Sequence, residues 1–83
     1  MIFCETKDPR HYTPKKFLSY PYQIRITQSD RHFKETPIIT FDQWCTNAFG
    51  DRDILWTREV FYDLTYFFKD KRHATLFKLK WAE

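Results

Sequence analysis

The sequence predicts an α+β domain: a small antiparallel sheet with two helices on one face, in the order β-α-β-β-α. Three observations predict it. Residues 20–28 alternate apolar and polar side chains with a period of two. Residues 40–49 carry an apolar stripe at helical spacing that stops at the chain's one glycine, Gly50. Residues 54–60 and 61–69 are two further alternating runs, the second dense in rings. The order is a split βαβ arrangement short of its final strand. Such a sheet leaves an edge on which a second copy could pair into a homodimer.

Residues 1–17 read as a basic, irregular N-terminal arm, and residues 18–83 as the single domain. Pro9 and Pro14 remove ladder donors and fix φ, so no long regular element fits residues 8–15. Met1 to Cys4 leave room for one short strand. In the run 20–28, Tyr22, Ile24 and Ile26 fall on one face, with Gln23, Arg25 and Thr27 on the other. That is a half-buried strand. Ser29 and Asp30 end it, and a polar connection closes at Thr36-Pro37.

The helix over 40–49 opens with Thr40 as N-cap and Gln43 placed to complete a capping box. Asp42 in the first turn favours the helix dipole. Phe41, Trp44, Cys45, Ala48 and Phe49 make one apolar stripe, and Gly50 supplies the positive φ that ends many helices. In the next strand Ile54, Trp56, Arg58 and Val60 share a face. In the one after, Tyr62, Leu64, Tyr66 and Phe68 oppose Phe61, Asp63, Thr65 and Phe67. Rings on both faces suit either a central strand or one with a sticky outer face. No tight-turn dipeptide marks the junction at 58–61.

Residues 70–81 fit two periods. As a helix, Asp70 is the N-cap and Ala74, Phe77 and Trp81 share a face, with Leu76 near its edge. As a strand, Phe77, Leu79 and Trp81 alternate with Lys78 and Lys80. The Asp70 cap and the helix-forming Ala, Leu and Lys residues favour the helix. The expected core is Ile24, Ile26, Phe41, Trp44, Phe49, Leu64, Phe68 and Phe77.

Size explains the rings. A chain of 83 residues buries only roughly 60–65% of its unfolded surface. Large rings bury the most area per residue at low rotamer cost, which accounts for an aromatic share of 20%. A formal charge of +3 is compatible with nucleic acid or an acidic protein but specifies neither. No apolar run approaches the ~20 residues of a membrane span. Met1 to Cys4 are followed by Glu5, Lys7 and Asp8, without the apolar segment of a signal peptide. The expectation is a cytoplasmic chain with no membrane partner, whose Cys4 and Cys45 are reduced thiols.

Chemistry-bearing motifs are sparse. Cys4, His11, His32, Cys45 and His73 lack zinc-site spacing, so no metal is expected. Cys45 lies on an apolar helix face, where burial makes a thiol a poor nucleophile. Asp51 and Asp53 resemble a metal-holding acid pair, but after Gly50 they read as a solvated loop. One glycine cannot build a phosphate loop. No catalytic residue and no cofactor is assigned, and the chain is not expected to be an enzyme.

Several marks in the C-terminal half are specific: Trp44-Cys45, Phe49-Gly50, Trp56, the run Tyr66-Phe67-Phe68-Lys69-Asp70, and the close Ala74-Thr75-Leu76-Phe77-Lys78-Leu79-Lys80-Trp81. Over roughly residues 40–82 the chain resembles a family of small tailed-phage proteins that end in a strand followed by such a segment. His73-Ala74 stands where that family commonly has Asp-Ala. The resemblance implies a phage setting and an α+β domain, and it carries no activity with it. It suggests the cytoplasm of an infected host, or alternatively a virion.

Two binding functions remain. In the first, a phage-encoded accessory, host-takeover or anti-defence protein docks on a larger host or phage protein. Its surface would be an aromatic and cationic patch of Trp56, Arg58, Tyr66, Phe67, Lys69 and Arg72. In the second, rings of the sheet (Trp56, Phe61, Tyr66 and Phe67) stack the bases of a single-stranded nucleic acid. Arg25, Arg58, Lys69, Lys71 and Arg72 would then track its phosphates.

Overall fold

The alternating runs do form strands, and their order in the sheet follows from which residues are buried. In the computed structural model, residues 2–5, 17–27, 35–60 and 63–81 are described. They form β1 (Ile2–Glu5), β2 (Tyr22–Ile26), α1 (Ile38–Phe49), β3 (Trp56–Val60), β4 (Leu64–Phe68) and α2 (Lys71–Trp81). The sheet runs β1-β2-β4-β3, and every neighbouring pair is antiparallel. β2 and β3 both oppose β4, so they are parallel to each other, and α1 is the crossover between them. This is the split βαβ core expected, with α2 as a second layer element.

β1 is the short strand for which Met1 to Cys4 left room. It pairs with β2 in the register Phe3 to Ile24, so the arm is not wholly irregular. Phe17, the last residue assigned to that arm, is also built into the domain. It stacks on Phe67 with ring centroids 4.4 Å apart. The sheet edges are therefore β1 and β3. At β3 one outward carbonyl is already used, because Asp53 N–H donates to Trp56 O at 2.7 Å.

β4 is central, and all five of its residues are buried. Leu64, Tyr66 and Phe68 face the helices, as do Ile24 and Ile26 of β2 and Trp56 of β3. With Phe41, Cys45, Ala74 and Phe77 they form one core. Phe67, on the opposite face, is covered by Phe17 and Tyr20. The helices lie antiparallel across the sheet. Phe41 at the start of α1 meets Trp81 at the end of α2 (4.6 Å), and Phe49 at the end of α1 stacks on His73 at the start of α2 (4.2 Å). Two expected core residues, Trp44 and Phe49, are only half-buried and seal the seam between the helices.

α1 starts three residues earlier than the capping pattern at Thr40 implied. Pro37 holds the N-cap position with φ −61° and no side-chain cap, and Thr40 N–H donates to Pro37 O at 3.0 Å. Pro37 takes the extended backbone of an N-cap, with ψ 145°, and its carbonyl accepts the first turn's bond, so the Thr40 capping signal goes unused. Asp42 then lies beyond the first turn. Gly50 ends α1 with φ 98° and its N–H on Thr46 O, a conformation that an L side chain rarely adopts.

The ambiguous segment is helical. Asp70 caps α2 by accepting the Arg72 N–H at 2.8 Å. It also pairs with the Arg72 guanidinium at 2.9 Å. These bonds hold its carboxyl well below the ordinary 3.8, at about 2. A carboxyl lowered on folding stabilises the fold above its unfolded value. That contribution is lost as the pH falls from 3.8 towards 2.

Two predictions follow from this packing. Phe77→Ala, at a site with no exposure, should cost about 3–5 kcal/mol in urea unfolding. Trp44→Ala should cost clearly less, and an equal or larger loss would contradict the burial order. In melts between pH 2 and 5, Asp70→Asn should flatten the acid limb of stability while keeping a capping side chain. An unchanged limb would show that the Asp70 carboxyl titrates alike in the folded and unfolded chains.

Candidate interaction surface

Strand geometry divides the predicted patch. Period two places Tyr66 and Phe67 on opposite faces of β4, so no single surface presents both. Trp56, Tyr66 and Phe67 are 1%, 0% and 3% exposed. Trp56 and Tyr66 stack on each other under the helices, with centroids 5.9 Å apart, and Trp56 Nε1 donates to Gly50 O at 2.8 Å. These three rings are core, not surface anchors. The reason is the central place of β4, which alternation alone does not reveal. Of the other rings named for base stacking, Phe61 lies outside the described residues.

Arg58 is also diverted. Its Nε donates to both carboxylate oxygens of Asp42, at 2.9 and 2.8 Å. The Tyr66 hydroxyl donates to the same Asp42 Oδ1 at 2.6 Å. Asp42 thus ties α1 to β3 and β4 in one polar clasp. Burial first, and the Asp42 carboxylate second, push the Tyr66 phenol far above its ordinary range. The same two causes push up the Cys45 thiol, one turn further along α1. Neither group ionises near neutral pH, so neither supplies a nucleophile or a base there. Cys4 and Cys45 are both buried and are not joined in a disulfide.

Lys69 and Arg72 are the two predicted patch residues that are exposed, while Arg58 is half-buried. Lys69 holds its Nζ 5.1 Å from the Tyr20 ring centroid, on the face away from the helices. Arg72 is tied back to Asp70. Asp51 and Asp53 are exposed, as a solvated loop would be. Asp53 adopts φ 74° and accepts the Thr57 hydroxyl at 2.6 Å, anchoring the loop to β3. Among the described residues no three His, Cys, Asp or Glu side chains gather to hold a metal. No described helix is long and apolar enough to cross a membrane.

What the sequence reading passes over is the outside of α2. Leu76 and Leu79 are 51% and 69% exposed. Lys71, Lys78 and Lys80 lie on the same helix, which contains no acidic residue. The spacing Ala74, Phe77, Trp81 was the signal available, because it turns Leu76 and Leu79 outward once the helix is chosen.

The clasp generates a coupled prediction. Asp42→Asn should cost about 1–2 kcal/mol, a charged hydrogen bond discounted for partial exposure. Combined with Tyr66→Phe in a double-mutant cycle, the two losses should fall short of additivity by about 0.5–1 kcal/mol. Strict additivity in urea titrations would show that the hydroxyl and carboxylate do not act together.

Comparisons with protein-family models, with curated proteins and with solved structures find no match for this chain.

Proposed function

We propose that this chain is a non-enzymatic, phage-encoded interaction protein, an accessory or host-takeover and anti-defence factor that docks on a larger protein. It acts by occlusion or recruitment in the cytoplasm of the infected host. The phage setting rests on the resemblance of residues 40–82. One observation carries the binding function: the rings are spent on the core, while aliphatic side chains are left exposed, two of them among the lysines of α2. Leu18, Ile39, Ile54, Leu76 and Leu79 are each more than half exposed. Apolar side chains bordered by Lys and Arg are what a protein interface covers.

Single-stranded nucleic acid is the second reading. The exposed Lys69, Lys71, Lys78 and Lys80 favour it, since phosphates need cations. The burial of Trp56, Tyr66 and Phe67 weighs against it, because base stacking needs open ring faces.

The test is purification from bacterial host lysate at about 150 mM salt, with and without nuclease. A stoichiometric protein band that resists nuclease is the expected result. Co-purifying nucleic acid, with bands that vanish on nuclease treatment, would transfer the function to single-strand binding.

A further inference from the structure

The outer face of α2 is built in three strips. One helical turn advances about 5.4 Å in 3.6 residues, so residues three and four apart stack along one side. Ala74, Phe77 and Trp81 point to the core and the α1 seam. On the opposite side Arg72, Leu76 and Leu79 form a line at spacings of four and three. Lys80 borders that line on one flank, and Lys71 and Lys78 border it on the other. Thr75 lies beside the line, its hydroxyl turned back onto Lys71 O at 3.0 Å.

The electrostatics of this face are one-sided. From Lys71 to Trp81 the helix carries four cations and no carboxylate. Arg72 is matched by Asp70, but among the described ion pairs none involves Lys71, Lys78 or Lys80. Lys80 lies 5.3 Å from the Trp81 ring centroid. Two leucines in water between ammonium groups that no described carboxylate matches are complementary to a partner that is both apolar and acidic.

We infer that the outer face of α2 is the docking surface, and that it fits a protein surface with an apolar groove about one helical turn long rimmed by carboxylates. Leu76 and Leu79 fill the groove, and Lys71, Lys78 and Lys80 meet the acidic rim. This inference rests on the reading of the chain as an interaction protein and names the surface and the partner's chemistry.

Charge complementarity selects this occupant. A phosphate backbone would match the lysines but leave Leu76 and Leu79 without apolar cover. A lipid surface takes up the broad apolar face of an amphipathic helix, and on α2 that face is already committed to the sheet. A second copy offers exposed Asp51 and Asp53 beside Ile54 and Leu55. That contact would be head-to-tail and would build rings or open chains instead of a closed pair.

The decisive experiment uses defined probes on the full chain, read by amide chemical shifts. The probes are an amphipathic helical peptide with a leucine stripe flanked by glutamates, the same peptide with serine for leucine, phosphatidylserine vesicles and oligo-dT. With the leucine peptide, shifts should concentrate at Arg72, Leu76, Leu79 and Lys80. Leu76→Ser with Leu79→Ser should weaken that binding by about tenfold or more, as loss of central anchors does. Lys78→Glu with Lys80→Glu should weaken it similarly and reduce its salt dependence. All four sites are exposed, so circular dichroism melts should be unchanged and serve as the folding control.

Equal binding of the serine peptide, shifts elsewhere on the chain, or tighter binding of vesicles or oligo-dT at α2 would overturn the inference. Self-association abolished by the leucine double variant, with the peptide inert, would also overturn it by giving the face to a second copy. The lysate capture separates the two levels. A partner retained by the leucine double variant sinks the α2 surface and leaves the interaction reading standing. Peptide shifts mapped to α2, with no partner captured by the wild-type chain, sustain the surface chemistry and sink the wider reading.

Discussion

The burial of β4 on both faces is the constraint on which the rest of the molecule depends. Five consecutive residues, Leu64–Phe68, lie in the interior. A strand can be buried on both faces only if each face has its own cover. The helices cover Leu64, Tyr66 and Phe68. The segment around Phe17 and Tyr20 covers Phe67. Neither cover is optional in a chain with so little interior to spare, and together they use up the rings that looked available for binding.

The helix layer is fixed by two different kinds of contact. Aromatic edges hold α1 against α2, with Phe41, Trp44, Phe49, Phe77 and Trp81 packed at centroid distances between 4.6 and 6.4 Å. Such contacts set distance more firmly than register. The Asp42 carboxylate adds register, because Arg58 and Tyr66 converge on it from adjacent strands. Half-buried polar groups of this sort specify one arrangement more than they stabilise it.

The exposed surface differs from the predicted patch as a result. With Trp56, Tyr66 and Phe67 inside, the side chains left to meet a partner are aliphatic and cationic. On α2 the two meet, where Leu76 and Leu79 stand exposed on a helix that also carries Lys71, Lys78 and Lys80. An aliphatic and lysine surface differs in kind from an aromatic and arginine one. The docking surface proposed on α2 is of that aliphatic and lysine kind.

Local pattern determined a good deal by itself. Alternation over 22–26, 56–60 and 64–68 is visible in Ile24 and Ile26, Trp56 and Arg58, and Tyr66 and Phe68. The stripe Phe41 and Cys45 and the stop at Gly50 are local too, as is the Asp70 cap that made 71–81 a helix. Those features depend on neighbours a few residues away, which a sequence displays directly. The tertiary structure alone decided that β4 is central, that β1 completes the sheet, and that Pro37 instead of Thr40 starts α1. It also decided that Asp42 meets Arg58 sixteen positions later. Strand order and ion pairing are long-range choices among alternatives of similar local energy. The candidate site was misplaced for that reason: alternation shows that a ring has a face, and only the packed sheet shows what lies on it.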